Sequence, residues 1–282
     1  MLVLYGLAPF LAVLGWSGNV IATKMSAGLI APGAITFYRW FVAVLVMTPL
    51  ILPSVLKKRK TLVPILPKLA VLGLLGMVMY QGLAYLAAKT TTATHMGILT
   101  SFIPLATMAL SIPLLGESPS TRSLVGGVFS VLGLFWLMSH GSPWLLIQEG
   151  VTFGDALMLA ASTSYALYGV LLRRWKIQLP RWESLYLQAL CGVVLLFPFY
   201  LTAPASPITA QNLPIILYAG FVASVLAPFF WMMGVERLGP NRTSVFMNLM
   251  PVATTLIAVV ILKESLHLYH FVGGGMTLLG VS

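Results

Sequence analysis

The sequence predicts an all-α membrane protein whose ten transmembrane helices form two inverted five-helix repeats. Three observations lead there. The 282-residue chain is 59% hydrophobic and only 8% charged, whereas a soluble domain carries about a quarter charged residues. Its apolar segments run to about 17–25 residues, enough to span a bilayer as a helix, and lack the period-two alternation of a barrel strand. One stretch also occurs twice: PLATMALSIPLLGESPSTRSLVGGVFSVLG at 104–133 returns as PVATTLIAVVILKESLHLYHFVGGGMTLLG at 251–280. An offset of 147 residues aligns Pro104 with Pro251, Glu117-Ser118 with Glu264-Ser265, Val125-Gly126-Gly127 with Val272-Gly273-Gly274, and Leu132-Gly133 with Leu279-Gly280, without a gap. Compositional chance scatters Leu and Val matches; it does not align the only glutamate of each window between a proline and a glycine pair.

In chain order, the run 4–23 has no basic segment before it and reads as a retained helix rather than a cleaved leader. Run 34–53 follows, then a connection carrying Lys57-Lys58-Arg59-Lys60. Runs 67–87, 92–115 and 122–139 complete the first repeat, residues 1–139. Pro104 lies within the fourth run, where a missing donor kinks a helix. Ser118-Pro119 resembles an N-cap with proline at N1, so Glu117 and Glu264 are expected to order the tight turns that follow them. Residues 140–152 form a linker with Gly141-Ser142-Pro143. The second repeat, 153–282, holds runs 153–172, 184–202, 213–234, 242–262 (with Pro251) and 267–282. Glycines 126–127 and 273–275 give the fifth and tenth helices flat faces, for each other or for a second copy in a homodimer. The single cysteine, Cys191, forms no intrachain disulfide.

The net charge of +10 is an orientation signal rather than a nucleic-acid signal. Loops on the side of the N-terminus hold twelve Lys and Arg residues; the opposite side holds Lys24, Lys89 and Lys263. That bias predicts cytoplasmic termini. An odd number of helices per repeat makes the second copy enter the membrane from the opposite side, an arrangement typical of secondary transporters with a site near the midplane.

The stretches LGWSGNVIATK (14–24), ITFYRWFVA (35–43) and SYALYGVLLRR (164–174), with the Pro104…Gly116-Glu117 and Pro251…Lys263-Glu264 ends, resemble the drug/metabolite transporter superfamily, specifically its EamA-type members. The resemblance covers the whole chain. It implies a carrier of the bacterial inner membrane, commonly an exporter of amino acids, related metabolites or toxic compounds, with the first, third, fourth, sixth, eighth and ninth helices around a central cavity. Lys263 departs from the Gly-Glu pattern that closes both copies in many members.

Polar side chains in apolar runs are costly unless they meet partners or water. Helical spacing groups Trp16 and Asn19 in the first run, Tyr80, Gln81 and Tyr85 in the third, His95 and Ser101 in the fourth, Tyr165 and Tyr168 in the sixth, Trp231 in the eighth and Asn248 in the ninth. With the implied helix order they are expected to line one aromatic-rimmed, uncharged substrate cavity, with Pro104 and Pro251 as hinges. Each has a structural alternative: Ser and Asn bonded to a neighbouring helix, His95 hydrogen-bonded in place, Trp and Tyr in packing. Trp40, Trp144, Trp175 and Trp182 read as interfacial belts. Arg39, one or two turns in from the outer surface, is expected to snorkel or pair with an outer acid such as Glu264.

No GxxxxGK[ST] motif occurs, no carboxylate is expected mid-membrane, and no cofactor is called for. His95 is the expected internal proton site. The function expected is export of a small-molecule metabolite down its gradient. A cationic-compound exporter is the alternative within transport. A scaffold or an intramembrane enzyme lies outside it, and the spacing of His95, His140, His267 and His270 suggests neither a metal site nor a nucleophile–base pair.

Overall fold

The computed structural model describes residues 2–116, 121–142, 144, 152–238 and 245–281, excluding the side chains of 2–6, 122–124, 138, 235, 236, 245, 248 and 281. Among these residues the chain is helical: α1 (Leu2–Ser26), α2 (Pro32–Lys57), α3 (Arg59–Ala87), α4 (Ala93–Leu115), α5 (Thr121–Met138), α6 (Phe153–Trp175), α7 (Arg181–Thr202), α8 (213–238), α9 (245–262) and α10 (Leu268–Val281). Among the described residues six helices are long and apolar enough to cross a membrane: α2, α3, α4, α6, α7 and the Leu213–Gly234 part of α8; Val125–Leu137 and Leu249–Leu262 are shorter apolar helices. The turn at Glu117–Pro119 and most of the 140–152 linker lie outside the described residues.

Local chemistry sets the helix ends. Thr92 and Thr152 cap α4 and α6, their hydroxyls accepting from His95 N at 3.0 Å and Asp155 N at 3.1 Å. Gly116 ends α4 in the left-handed conformation with φ +70°, and Lys263 ends α9 the same way with φ +57°. The Gly-to-Lys departure therefore preserves the cap at a steric cost of roughly 1–2 kcal/mol.

The duplicated prolines do not kink continuous helices. Helix α4 breaks at Thr100–Ser101 and restarts at Phe102, so Pro104 falls in the first turn of the second piece; α9 runs as a 3-10 turn over Val245–Asn248 and restarts at Leu249, two residues before Pro251. The physical cause at Pro104 is its missing N–H, which leaves the Thr100 carbonyl to Ile103 N at 3.1 Å. A second feature recurs between copies: α3 loosens into a π-helical turn at Leu74–Met79, as α8 does at Tyr218–Leu226.

Helix α5 packs along α10, α2 along α7, α1 against α8 and α9, and α6 against α3 and α4. The α5–α10 seam is reciprocal: Gly126 faces the Gly280 carbonyl and Gly280 the Gly126 carbonyl, while a Cβ at Gly133 or Gly273 would come within 2.7 or 2.8 Å of the other's carbonyl oxygen. The glycine runs thus serve an interface inside the chain.

Candidate functional site

The sequence-predicted residues separate into three places. In the first, Arg39, a residue 3% exposed, has its guanidinium held by three neutral groups from three other helices. Nη1 donates to Asn19 Oδ1 of α1 and Gln81 Oε1 of α3, both at 2.9 Å, and Nε donates to Ser224 Oγ of α8 at 2.8 Å. The Ser224 hydroxyl passes its own proton to the Ala219 carbonyl at 2.8 Å, a bond reaching five residues back across the π turn. Arg39 also lies over the Trp40 ring, 5.3 Å from its centroid. Trp40 is buried, its indole N–H donating to Met77 O at 3.0 Å, so it is no interfacial belt residue.

Aromatic walls flank this group. Trp16 donates to the carbonyl of Ala223, beside Ser224, at 3.1 Å and packs on Trp231 with centroids 5.5 Å apart. Tyr80, Tyr165 and Tyr168 form a string with centroid separations of 4.7 and 5.3 Å.

Two faces of α6 show where open space lies. Residues 156, 160, 163, 167, 171 and 174 form an outward stripe that is exposed or half-buried along the whole helix. Opposite it run residues 154, 158, 161, 165, 169 and 172; Gly154, Met158 and Ala161 are buried, while Tyr165, Gly169 and Leu172 are exposed. Tyr165 keeps 39% of its surface free on this inner face, between Tyr80 and Tyr168. A crevice therefore opens toward the end of α6 that carries Arg173 and Arg174. At the same end a cavity of about 320 Å³ is lined by Arg181, Trp182, Phe229, Met232 and Met233.

The opposite end, where α1, α3 and α9 finish and α4, α6 and α10 begin, is stitched shut. Lys24 Nζ donates to Ala88 O at 2.8 Å and Thr91 O at 2.5 Å. Glu264 accepts from Ala93 N at 2.8 Å, Thr94 N at 3.0 Å and Thr94 Oγ1 at 2.6 Å, so its carboxylate caps the N-terminus of α4. This corrects two expectations: Glu264 does not order the turn into α10, and it is not the partner of Arg39.

Here lies the second place. His95, 4% exposed, has Nδ1 at 3.3 Å from Oδ1 of the wholly buried Asp155, whose Oδ1 also accepts from Thr91 Oγ1 at 2.5 Å. The rings of His140 and His270 stand 5.5 and 5.6 Å from His95, and His267 joins through His270 at 5.8 Å. The four histidines therefore do gather, contrary to their sequence spacing. Among the described residues they make no metal-binding group.

Tyr85 stands apart. It is 1% exposed, packed among Ala22, Ile30, Ala34, Ile35, Ile215 and Ile216, with its hydroxyl unbonded. Ser101, 8% exposed, sits at the α4 break, and the Asn248 side chain lies outside the described residues. Sequence reasoning missed Arg39 and Ser224 as members of the central group. Arg39 is the cation that lies farthest from the ends of an apolar run, and that signal was available; Ser224 looks like any small helix-packing residue.

A many-helix bundle with a buried polar centre and a crevice at one end defines the class, a membrane transporter. The EamA-like transporter family model matches residues 3–139 and again 152–282, and the chain belongs to that family. It is 26% identical to the uncharacterized transporter YyaM of Bacillus subtilis, covering 96% of this chain and 92% of that one. It is 29% identical to an uncharacterized transporter of Archaeoglobus fulgidus, covering 96% and 93%. A WAT1-related protein of Arabidopsis thaliana is 25% identical over 97% of this chain and 83% of its own length. A crystal structure superposes with a TM-score of 0.64 over 98% of this chain and 94% of that one, at 19% identity, a likeness of fold alone.

Proposed function

We propose that this chain is a secondary transporter exporting small organic metabolites across the bacterial inner membrane, by alternating access around the Arg39 region and without ATP. The observation that carries the reading is the inner face of α6, closed at one end and open at the other. The reciprocal glycine seam of α5 and α10 and the matched pairing of α1 on α8–α9 with α6 on α3–α4 support two inverted five-helix repeats and ten spans. Under that topology both termini are cytoplasmic. The stitched end is then extracellular and the open end cytoplasmic, which makes this an inward-facing state. The breaks before Pro104 and Pro251 are the places for the helices to bend. The buried cation disfavours a cationic-compound exporter.

The test is cysteine accessibility on a Cys191→Ser background. Tyr165→Cys should react with a membrane-impermeant maleimide from the cytoplasmic face in the resting protein and be protected when the carrier is locked outward; Met158→Cys should show the reverse. Constant labelling of both under all conditions defeats alternating access. Counterflow in liposomes should also proceed without an imposed pH gradient. A strict gradient requirement that persists in His95→Ala would defeat the uncoupled scheme.

A further inference from the structure

Arg39 carries a feature that helix packing does not explain. A buried cation ordinarily meets a carboxylate, because an uncompensated charge costs several kcal/mol to desolvate. Among the described residues no carboxylate pairs with Arg39; each of its partners is neutral. The hydrogen bonds consume Nε and both protons of Nη1. Among the described residues Nη2 makes none, and the atom is not wholly occluded. Asn19, Gln81 and Ser224 fix the guanidinium plane and leave the two N–H donors of Nη2 unused. The residue at the matching place in the second repeat shows that the scaffold does not need the charge. At an offset of 149 Arg39 meets Gln188, and the packing there is alike: a Cβ at Gly220 would lie 3.0 Å from Arg39 O, and one at Gly73 would lie 2.5 Å from Gln188 O.

We propose that Nη2 of Arg39 is the docking point for a substrate carboxylate, so that the transported class is a monocarboxylate with a flat apolar body. Charge-assisted bonds from Nη2 would hold the carboxylate end-on, since the fork through Nη1 is already occupied. The tyrosine string and the Trp16–Trp231 pair supply walls for the body. A substrate ammonium finds no counter-charge, because no acid faces the group among the described residues; an aromatic acid is thus preferred over the corresponding amino acid. This assignment rests on the transporter reading above.

The test uses the full chain in detergent, with tryptophan fluorescence titrated by phenylacetate, L-phenylalanine, phenylacetamide and phenethylamine. Phenylacetate should quench saturably and bind at least about tenfold more tightly than the amide or the amine, the worth of a charge-assisted bond. L-phenylalanine should fall between. Arg39→Gln should lower phenylacetate to the level of the amide. Arg39→Lys, which keeps the charge and guards against a folding failure of the first variant, should weaken phenylacetate alone. Equal binding of acid and amide, an undiminished preference in Arg39→Gln, or no saturable quenching by any compound overturns the assignment. Alternating labelling of Tyr165→Cys together with equal binding of all four compounds would sink the carboxylate site and leave the transporter reading standing. Fixed labelling with intact selectivity would do the opposite.

Discussion

Arg39 and Gln188 occupy corresponding places on α2 and α7, and the contrast between them separates scaffold from function. Both helices are approached by a glycine, Gly220 over Arg39 and Gly73 over Gln188. Both glycines precede or lie within a loosened π turn of the packing helix. Around Arg39 three polar partners from three helices stand in place: Asn19, Gln81 and Ser224. Around Gln188 they do not. Its Nε2 donates to Ser184 at 2.8 Å, but its Oε1 is buried without a partner; the position matching Asn19 at the offset of 149 holds Tyr168, and the one matching Ser224 at the offset of 147, which pairs Gly73 with Gly220, holds Met77. Duplication kept the close helix approach in both copies and concentrated polar chemistry in one.

The comparison can be broken first at the partners of the guanidinium. Asn19→Leu or Gln81→Leu leaves a buried cation short of an acceptor and should destabilise by about 2–3 kcal/mol, measured by thermal unfolding in detergent. Next come the glycines. Gly73→Ala and Gly220→Ala should each cost about 1–3 kcal/mol through overpacking; a large loss at only one of them would show that the two approaches are not equivalent. Further out, Glu264→Gln should cost about 1 kcal/mol by weakening the cap on α4, and should raise the labelling of Met158→Cys. Lys263→Gly should stabilise by about 1 kcal/mol, as glycine takes the left-handed cap that its counterpart Gly116 already provides. The smallest effect is expected at Gln188→Leu, neutral or stabilising by less than about 1 kcal/mol, because the substitution removes an unsatisfied oxygen. A severe loss there would mean that the second copy also carries polar function.

Much of the helix placement was legible because a bilayer demands long apolar runs, and runs such as 34–53 and 184–202 overlie α2 and α7. Of the proposed cavity residues, Trp16, Asn19, Tyr80, Gln81, Tyr165, Tyr168 and Trp231 do gather around one centre. Tyr85 does not, although it is four residues from Gln81, because the next turn of α3 packs against α1, α2 and α8 rather than the crevice. The histidine cluster was invisible: His95, His140 and the neighbouring His267 and His270 lie far apart in sequence, and only the convergence of α4, the end of α5 and the start of α10 brings them together.

The sequence alone determined that the chain is helical, duplicated and built for lipid, since backbone hydrogen bonding in hydrocarbon leaves few choices and gapless self-similarity leaves fewer. Where a proline interrupts a helix was not set by its missing N–H alone: α4 and α9 break ahead of Pro104 and Pro251, while Pro9, Pro49, Pro53, Pro113 and Pro198 lie inside helices. The tertiary structure decided which polar groups meet. Hydrogen bonds act over about 3 Å, and only the packed bundle sets Asn19, Gln81 and Ser224 that close to Arg39 or commits the Glu264 carboxylate to the start of α4.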